Sequence, residues 1–270
     1  MVAGAAIVTC LVMVALSAPM IAPHDVNAMD LINTLLPPSW MAGGDPAFPL
    51  GTDSLGRCIL SQLIYGARLA LTVAVVASIG AALIGVTIAV VSGYFGGRTD
   101  RILTQVVDLW MSFPPVVLAL TLMVGLGTGV INVILAILLV DWTRFCRVGR
   151  AEVIRIRSQD YVSAARLLGF SHLRTIFREV LPALLPMVLT LTALEMGTAI
   201  VVEAILGFVG LSVPAGTASW GVLIADARSY LYQSPTAMIF PVMAIIVSVM
   251  GFNLLGDGLK DWFATPARTA

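Results

Sequence analysis

Histidine, cysteine and lysine are nearly missing from this chain, and each shortage closes off a class of chemistry. His24 and His172 are the two histidines, and Cys10, Cys58 and Cys146 the three cysteines, scattered singly along 270 residues. None stands at the close spacing that a zinc site or a disulfide framework requires. Isolated cysteines beside apolar runs behave as small buried hydrophobes. The only lysine, Lys260, follows "LLGDGL", and the chain has no G-x-x-x-x-G-K-[ST] loop to cradle nucleotide phosphates. No cofactor is therefore expected on this chain, nor the histidine or cysteine cluster of an intramembrane metalloenzyme or protease.

Charge is scarce as well. Only 11% of residues are charged, with Lys+Arg and Asp+Glu balanced at 15 each. Apolar residues make up 59%, far above the ~45–50% of soluble domains, and the mean hydropathy is +0.99. The composition is that of an all-α, polytopic membrane protein. In such a chain the position of each charge matters more than the sum, and nothing in the balance points to nucleic acid.

A membrane helix needs about 20 mainly apolar residues. Six stretches qualify, at about residues 2–22, 68–92, 102–125, 129–149, 184–206 and 236–256. The first lacks a basic flank, and Pro19 follows the one "LSA" that could be cut, so it reads as an uncleaved span rather than a signal peptide. Placing both termini in the cytoplasm puts every Lys and Arg except Arg57, Arg68 and Arg228 on the inside. The positive-inside rule selects that orientation. Residues 23–67 then form an extracytoplasmic segment, residues 68–262 a five-span core and residues 263–270 a cytoplasmic tail. His24 and His172 fall on opposite sides.

Residues 150–183 contain "DYVSAARLLGFSHLRTIFREVLP", the one long stretch with a soluble character, and it lies on the inside. Ser158 and Ser171 are placed to cap two short helices, Gly169 to stop the first and Pro182 to end the second. Tyr161, Ala164, Ala165 and Leu168 recur at i, i+3, i+4 and i+7, which gives one apolar face with a small-residue centre. Such a helix suits docking to a soluble partner or lying on anionic lipid, and its shape alone leaves both open.

Resemblance separates them. The loop resembles the "EAA" motif of ABC-type importer permeases: E-A-A, three residues, Gly, nine residues, then an apolar pair ending in Leu-Pro. Here Ser163-Ala164-Ala165, Gly169 and Glu179-Val180-Leu181-Pro182 occupy those places. Ser163 replaces the glutamate, which puts in doubt any role needing a carboxylate there. "PLGTDSLGRCILSQLIYGARLAL", "GYFGGRTDRIL", "SFPPVVLAL", "VEAILGFVGLSV", "SWGVLIADARSYL" and "FNLLGDGLKD" extend the likeness over about residues 20–262. They resemble the dipeptide/oligopeptide permeases of the DppC/OppC type. The resemblance implies a six-span, type I importer fold in a prokaryotic cytoplasmic membrane. It also implies a second homologous permease, two ATP-binding subunits that hold ATP and Mg, and an extracytoplasmic substrate-binding protein. Tyr161, Ser163, Ala164, Ala165, Leu168, Gly169, Leu181 and Pro182 become candidates for contact with the ATPase. Relatives of this type that handle nickel or glutathione keep those solutes open. A self-sufficient secondary transporter or channel would call for inverted repeats and an ion site, and neither is visible.

Four carboxylates fall inside expected spans. Asp141 is expected to pair with Arg144 one turn away. Asp108, Glu195 and Glu203 are candidates for lining a pathway or for pairing between helices. Glu195 and Glu203, at i and i+8, share a helix face. Pro114-Pro115 and Pro241 are expected to kink their helices.

Overall fold

A computed structural model describes residues 1–214 and 216–264; Arg268 and the end of the expected tail lie outside the described residues. Within them the architecture is helical, with one isolated antiparallel bridge between Thr52 and Cys58. In chain order the helices are α1 (Val2–Leu16), α2 (Ile59–Phe95), α3 (Gly97–Met111), α4 (Pro115–Leu126), α5 (Val130–Arg157), α6 (Asp160–Leu167), α7 (Leu181–Phe208), α8 (Trp220–Ala227) and α9 (Thr236–Ala264).

Three helical runs are long and apolar enough to cross a bilayer: Ile59–Phe95, His172–Phe208 and Thr236–Phe263. A fourth is added if α3 and α4, bent by 83° at their junction, make up one span. The remaining two expected spans differ for physical reasons. At 15 residues, α1 is about 22 Å long. The 28 residues of α5 have the length but carry Asp141, Arg144 and Arg147 along their middle.

Close packing of α2 on α5 forms the centre of the molecule. Ala67, Ala70, Ala74, Ala77, Ala81, Gly85 and Ala89 recur every three or four residues on α2, and all are buried. Such a stripe lets two backbones approach, which is how helices associate where water supplies no driving force. Val133, Ala136, Ile137 and Val140 of α5 complete this core with Ala199 and Ile200 of α7. A Cβ on Gly85 would strike the Trp142 carbonyl and the Phe145 side chain. Gly85→Leu is therefore expected to cost at least about 1–3 kcal/mol, the usual penalty of overpacking, read as a lower unfolding midpoint in detergent.

The two proline-marked sites behave differently. Pro114 adopts an extended ψ of 125°, and helix resumes at Pro115, because a residue preceding proline is pushed out of the α region. Trp110 Nε1 donates to the Leu139 carbonyl at 2.7 Å and ties this bend to α5. Pro241 lies inside the continuous α9, as Pro186 does inside α7.

Two expected boundaries are corrected. Ser158 does not cap α6, because α5 runs on to Arg157. Ser158 is left in the αR region, and its hydroxyl donates to the Arg155 carbonyl at 2.8 Å. Pro182 does not end a helix; it sits in the first turn of α7, just after a π-helical turn, within the helical run His172–Phe208. The turn His172–Thr175 reaches α7 through a π-helical turn, Ile176–Val180, in which the Leu181 N–H bonds to the Ile176 carbonyl.

Candidate coupling surface and membrane-embedded charges

Helix α6 ends in a Schellman motif. The Gly169 N–H bonds to the Arg166 carbonyl at 3.0 Å, the Phe170 N–H bonds to the Ala165 carbonyl at 3.1 Å, and Gly169 takes φ +85°. Glycine is required there by backbone conformation, since a Cβ would meet nothing within 4 Å. Ser171 caps the next turn, its Oγ accepting from the Arg174 N–H at 3.4 Å. Arg174 lies over the Phe170 ring at 4.1 Å, and His172 Nδ1 sits 3.3 Å from Tyr94 Oη at the end of α2. The His172–Tyr94 contact joins this loop to α2, and the other contacts hold the loop's own shape.

The buried side of α6 is Val162 and Ala165, and Val162 packs with Val153, Ile156, Ile176 and Val180. This corrects the expected apolar face: Ala165 turns inward, away from Tyr161 and Leu168. Tyr161, Ser163, Ala164, Leu168 and Gly169 are exposed, Leu181 is half-buried and Pro182 is exposed. Sequence reasoning missed Leu167, 90% exposed beside Leu168 at 79%. Two adjacent leucines thus stand outward at the capped end of α6.

The intramembrane charges pair across helices. Arg144 Nη1 donates to both carboxylate oxygens of Glu195 on α7, each at 3.2 Å. The expected Asp141–Arg144 pair does not form: Asp141 is buried on its own helix, while Arg144 reaches across to a carboxylate that is itself buried. Asp108 of α3 accepts from Arg147 at 2.7 Å. Glu203 accepts from Ser212 and Ser219 hydroxyls, each at 2.9 Å, and so pins the segment before α8 onto α7. Glu195 and Glu203 are each buried with separate partners. Sequence reasoning also missed Asp100, which binds Arg150 through Nε and Nη2.

The segment after α1 is tied to the segment carrying α8. Buried Asp53 accepts from Arg57 Nε at 2.6 Å and from Gln62 Nε2 at 3.0 Å, and Arg57 Nη2 donates to Asp226 of α8 at 3.2 Å. Trp220 Nε1 donates to the Leu63 carbonyl at 3.0 Å. The signal was in "GTDSLGR", where an aspartate and an arginine four residues apart close a turn.

The structure is a multi-pass helical membrane scaffold with ion pairs between its helices and, on its loop, a short helix with two leucines facing outward. Residues 85–268 match the family described as "Binding-protein-dependent transport system inner membrane component", and residues 1–38 match the "N-terminal TM domain of oligopeptide transport permease C". The chain belongs to the binding-protein-dependent inner-membrane permease family.

It is similar to the di/tripeptide transport system permease protein DppC of Pseudomonas aeruginosa, at 37% identity over 93% of this chain and 83% of that protein. The nickel transport system permease protein NikC of Escherichia coli is 38% identical over 94% of this chain and 90% of that one. The oligopeptide transport system permease protein OppC of Bacillus subtilis is 35% identical over 96% and 83%. Among solved structures, an inward-facing MetNI methionine ABC transporter shares the fold, with TM-score 0.62 at 17% identity over 74% of this chain and 95% of that one. The protein is accordingly a non-catalytic permease subunit of an ABC importer, and ATP hydrolysis belongs to a separate subunit.

Proposed function

We propose that this chain forms half of the translocation pathway of an ATP-driven importer of dipeptides and oligopeptides. It crosses the membrane six times with both termini in the cytoplasm, an orientation supported by the crowding of arginines on one side. A second homologous permease supplies the other half. Two ATP-binding subunits, which hold ATP and Mg, sit beneath the 150–183 loop, and an extracytoplasmic binding protein delivers solute to the side where Arg57 joins Asp226.

The observation that carries this reading is the loop. Its inward residues fix it to the ends of α2, α5 and α7, while Leu167 and Leu168 remain uncovered. A displacement of this helix by a partner would pass directly into the helices around it. Peptide relatives favour a peptide solute, and the equally similar nickel permease supports a second reading in which the same machinery carries a different small solute.

The test is reconstitution of the four-subunit complex with its binding protein in liposomes. ATP-dependent uptake of labelled dialanine, absent without the binding protein, is the expected result. Uptake of Ni²⁺ but not of dialanine would select the second reading; a purified chain that retains no ATPase subunit and moves solute alone would overturn both.

A further inference from the structure

Two carboxylates stand on α5, and they are treated differently. Glu152 bonds to Arg155, whereas Asp141, 4% exposed, has no hydrogen bond or ion pair among the described residues. It lines a cavity of about 40 Å³ at the bend between α3 and α4, and Arg144 lines the same cavity. The α3 and α4 side of that cavity, Trp110, Met111, Phe113, Pro115 and Leu118, carries no charge. Arg144 is three residues along the same helix, a spacing at which side chains meet, yet it is bound to Glu195 on α7. Two buried carboxylates therefore stand in reach of one arginine, and a buried charge without a partner is costly. Assembly with other subunits can only bury Asp141 and Glu195 further, so the competition belongs to the chain itself.

We propose that Asp141 is a second seat for Arg144, a positioning residue that takes the guanidinium when α5 and α7 part during transport and gives it back when they close. This rests on the importer reading and adds a step to it. Either seating leaves one carboxylate unpaired, so the two arrangements are close in free energy, which is the condition for a two-state element. Packed helices switch between such discrete arrangements rather than deform. The cavity exceeds the ~10–15 Å³ that one water needs, so water can solvate Asp141 while Arg144 is away. Position gives the switch its reach. The 150–183 loop joins α5 to α7, and Arg144 and Glu195 each lie about 20 Å along their helix from it. Trp110, donating to the Leu139 carbonyl at 2.7 Å, ties the α3–α4 bend to the same stretch of α5.

The test uses the whole importer complex, in liposomes for uptake and in detergent for unfolding. Asp141→Asn removes the second seat together with a buried charge, so its unfolding midpoint should not fall. The maximal rate of ATP-driven uptake, of dialanine or of Ni²⁺ according to which the wild type carries, should drop at least about fivefold, the low end of ordinary coupling between sites, with the KM for solute unchanged. Asp141→Glu keeps a carboxylate in reach and should restore most of the rate. A merely structural carboxylate would not separate rate from midpoint in this way. Glu195→Gln should lower the midpoint less than Arg144→Ala does, because Arg144 falls back on Asp141. Combining Asp141→Asn with Glu195→Gln should lower it by more than the sum of the single changes, since each carboxylate substitutes for the other. Full uptake in Asp141→Asn, a midpoint that falls in that variant as far as in Arg144→Ala, or additive effects of the two substitutions would each overturn the proposal. A wild-type complex that retains no ATPase subunit, or that moves neither solute, would instead count against the importer reading itself.

Discussion

Replacing Leu167 and Leu168 together by aspartate should strip the ATPase subunits from the complex while leaving the permease folded. Both side chains already face outward, so the folded chain alone should change by no more than about 0.5 kcal/mol, as surface substitutions usually do. Burying a leucine against a partner is worth about 1.5–3 kcal/mol. Losing two such contacts, and burying two carboxylates instead, should weaken assembly by at least about 3 kcal/mol, more than a hundredfold in affinity. The measurement is affinity purification of the tagged permease in mild detergent, with bound ATPase subunits counted by mass spectrometry and permease folding checked by its unfolding midpoint. Full retention of the ATPases by the double variant would remove α6 from the interface. An Ala165→Glu variant would be uninformative, because Ala165 is buried on the inner side of the helix and the loop would be disrupted from within.

That choice shows what the sequence could and could not convey. Gly169 and Ser171 were readable because a left-handed C-terminal stop and a hydroxyl N-cap are local devices, set by residues within a turn. The face of α6 was misread because four apolar residues at helical spacing do not say which of two sides has a bundle behind it. Val162 was drawn in by Val153, Ile176 and Val180, which lie on other elements, and Ala165 is buried with it. Pro182 looked like an ending for a related reason. The π-helical turn before it absorbs the irregularity, so the chain enters α7 without a break. Charges followed the same division. Asp53 and Arg57 pair four residues apart, whereas Arg144 passes over Asp141 on its own helix for Glu195, 51 residues away. Arginine positions were legible as topology but not as partners, since reach across a helix interface is decided by packing.

Arg144 therefore supplies the second large expected effect. Arg144→Ala would leave the Glu195 carboxylate, 6% exposed, without its counter-charge and on the same side as buried Asp141. Breaking a buried pair from one side costs about 3–5 kcal/mol; because the Arg144 side chain is 40% exposed and water can reach part of the site, about 3 kcal/mol is the better expectation. The loss should appear as a large drop in the unfolding midpoint of the detergent-solubilised chain. Arg144→Lys should recover only part of it, since lysine's four-carbon stem is shorter and its ammonium would fall short of the two oxygens that Arg144 Nη1 reaches at 3.2 Å. The decisive comparison is the double variant Arg144→Met with Glu195→Leu, which removes both charges and fills the space with apolar atoms. Uncompensated burial of charge predicts that the double variant is more stable than Arg144→Ala alone, because replacing both members of such a pair is often neutral. If the double variant fell by the sum of its single changes, the pair would contribute nothing as a pair, and the junction of α5 and α7 would be held by its apolar contacts alone. Recovery of stability without recovery of uptake would mean that the pair is retained for transport and not for folding.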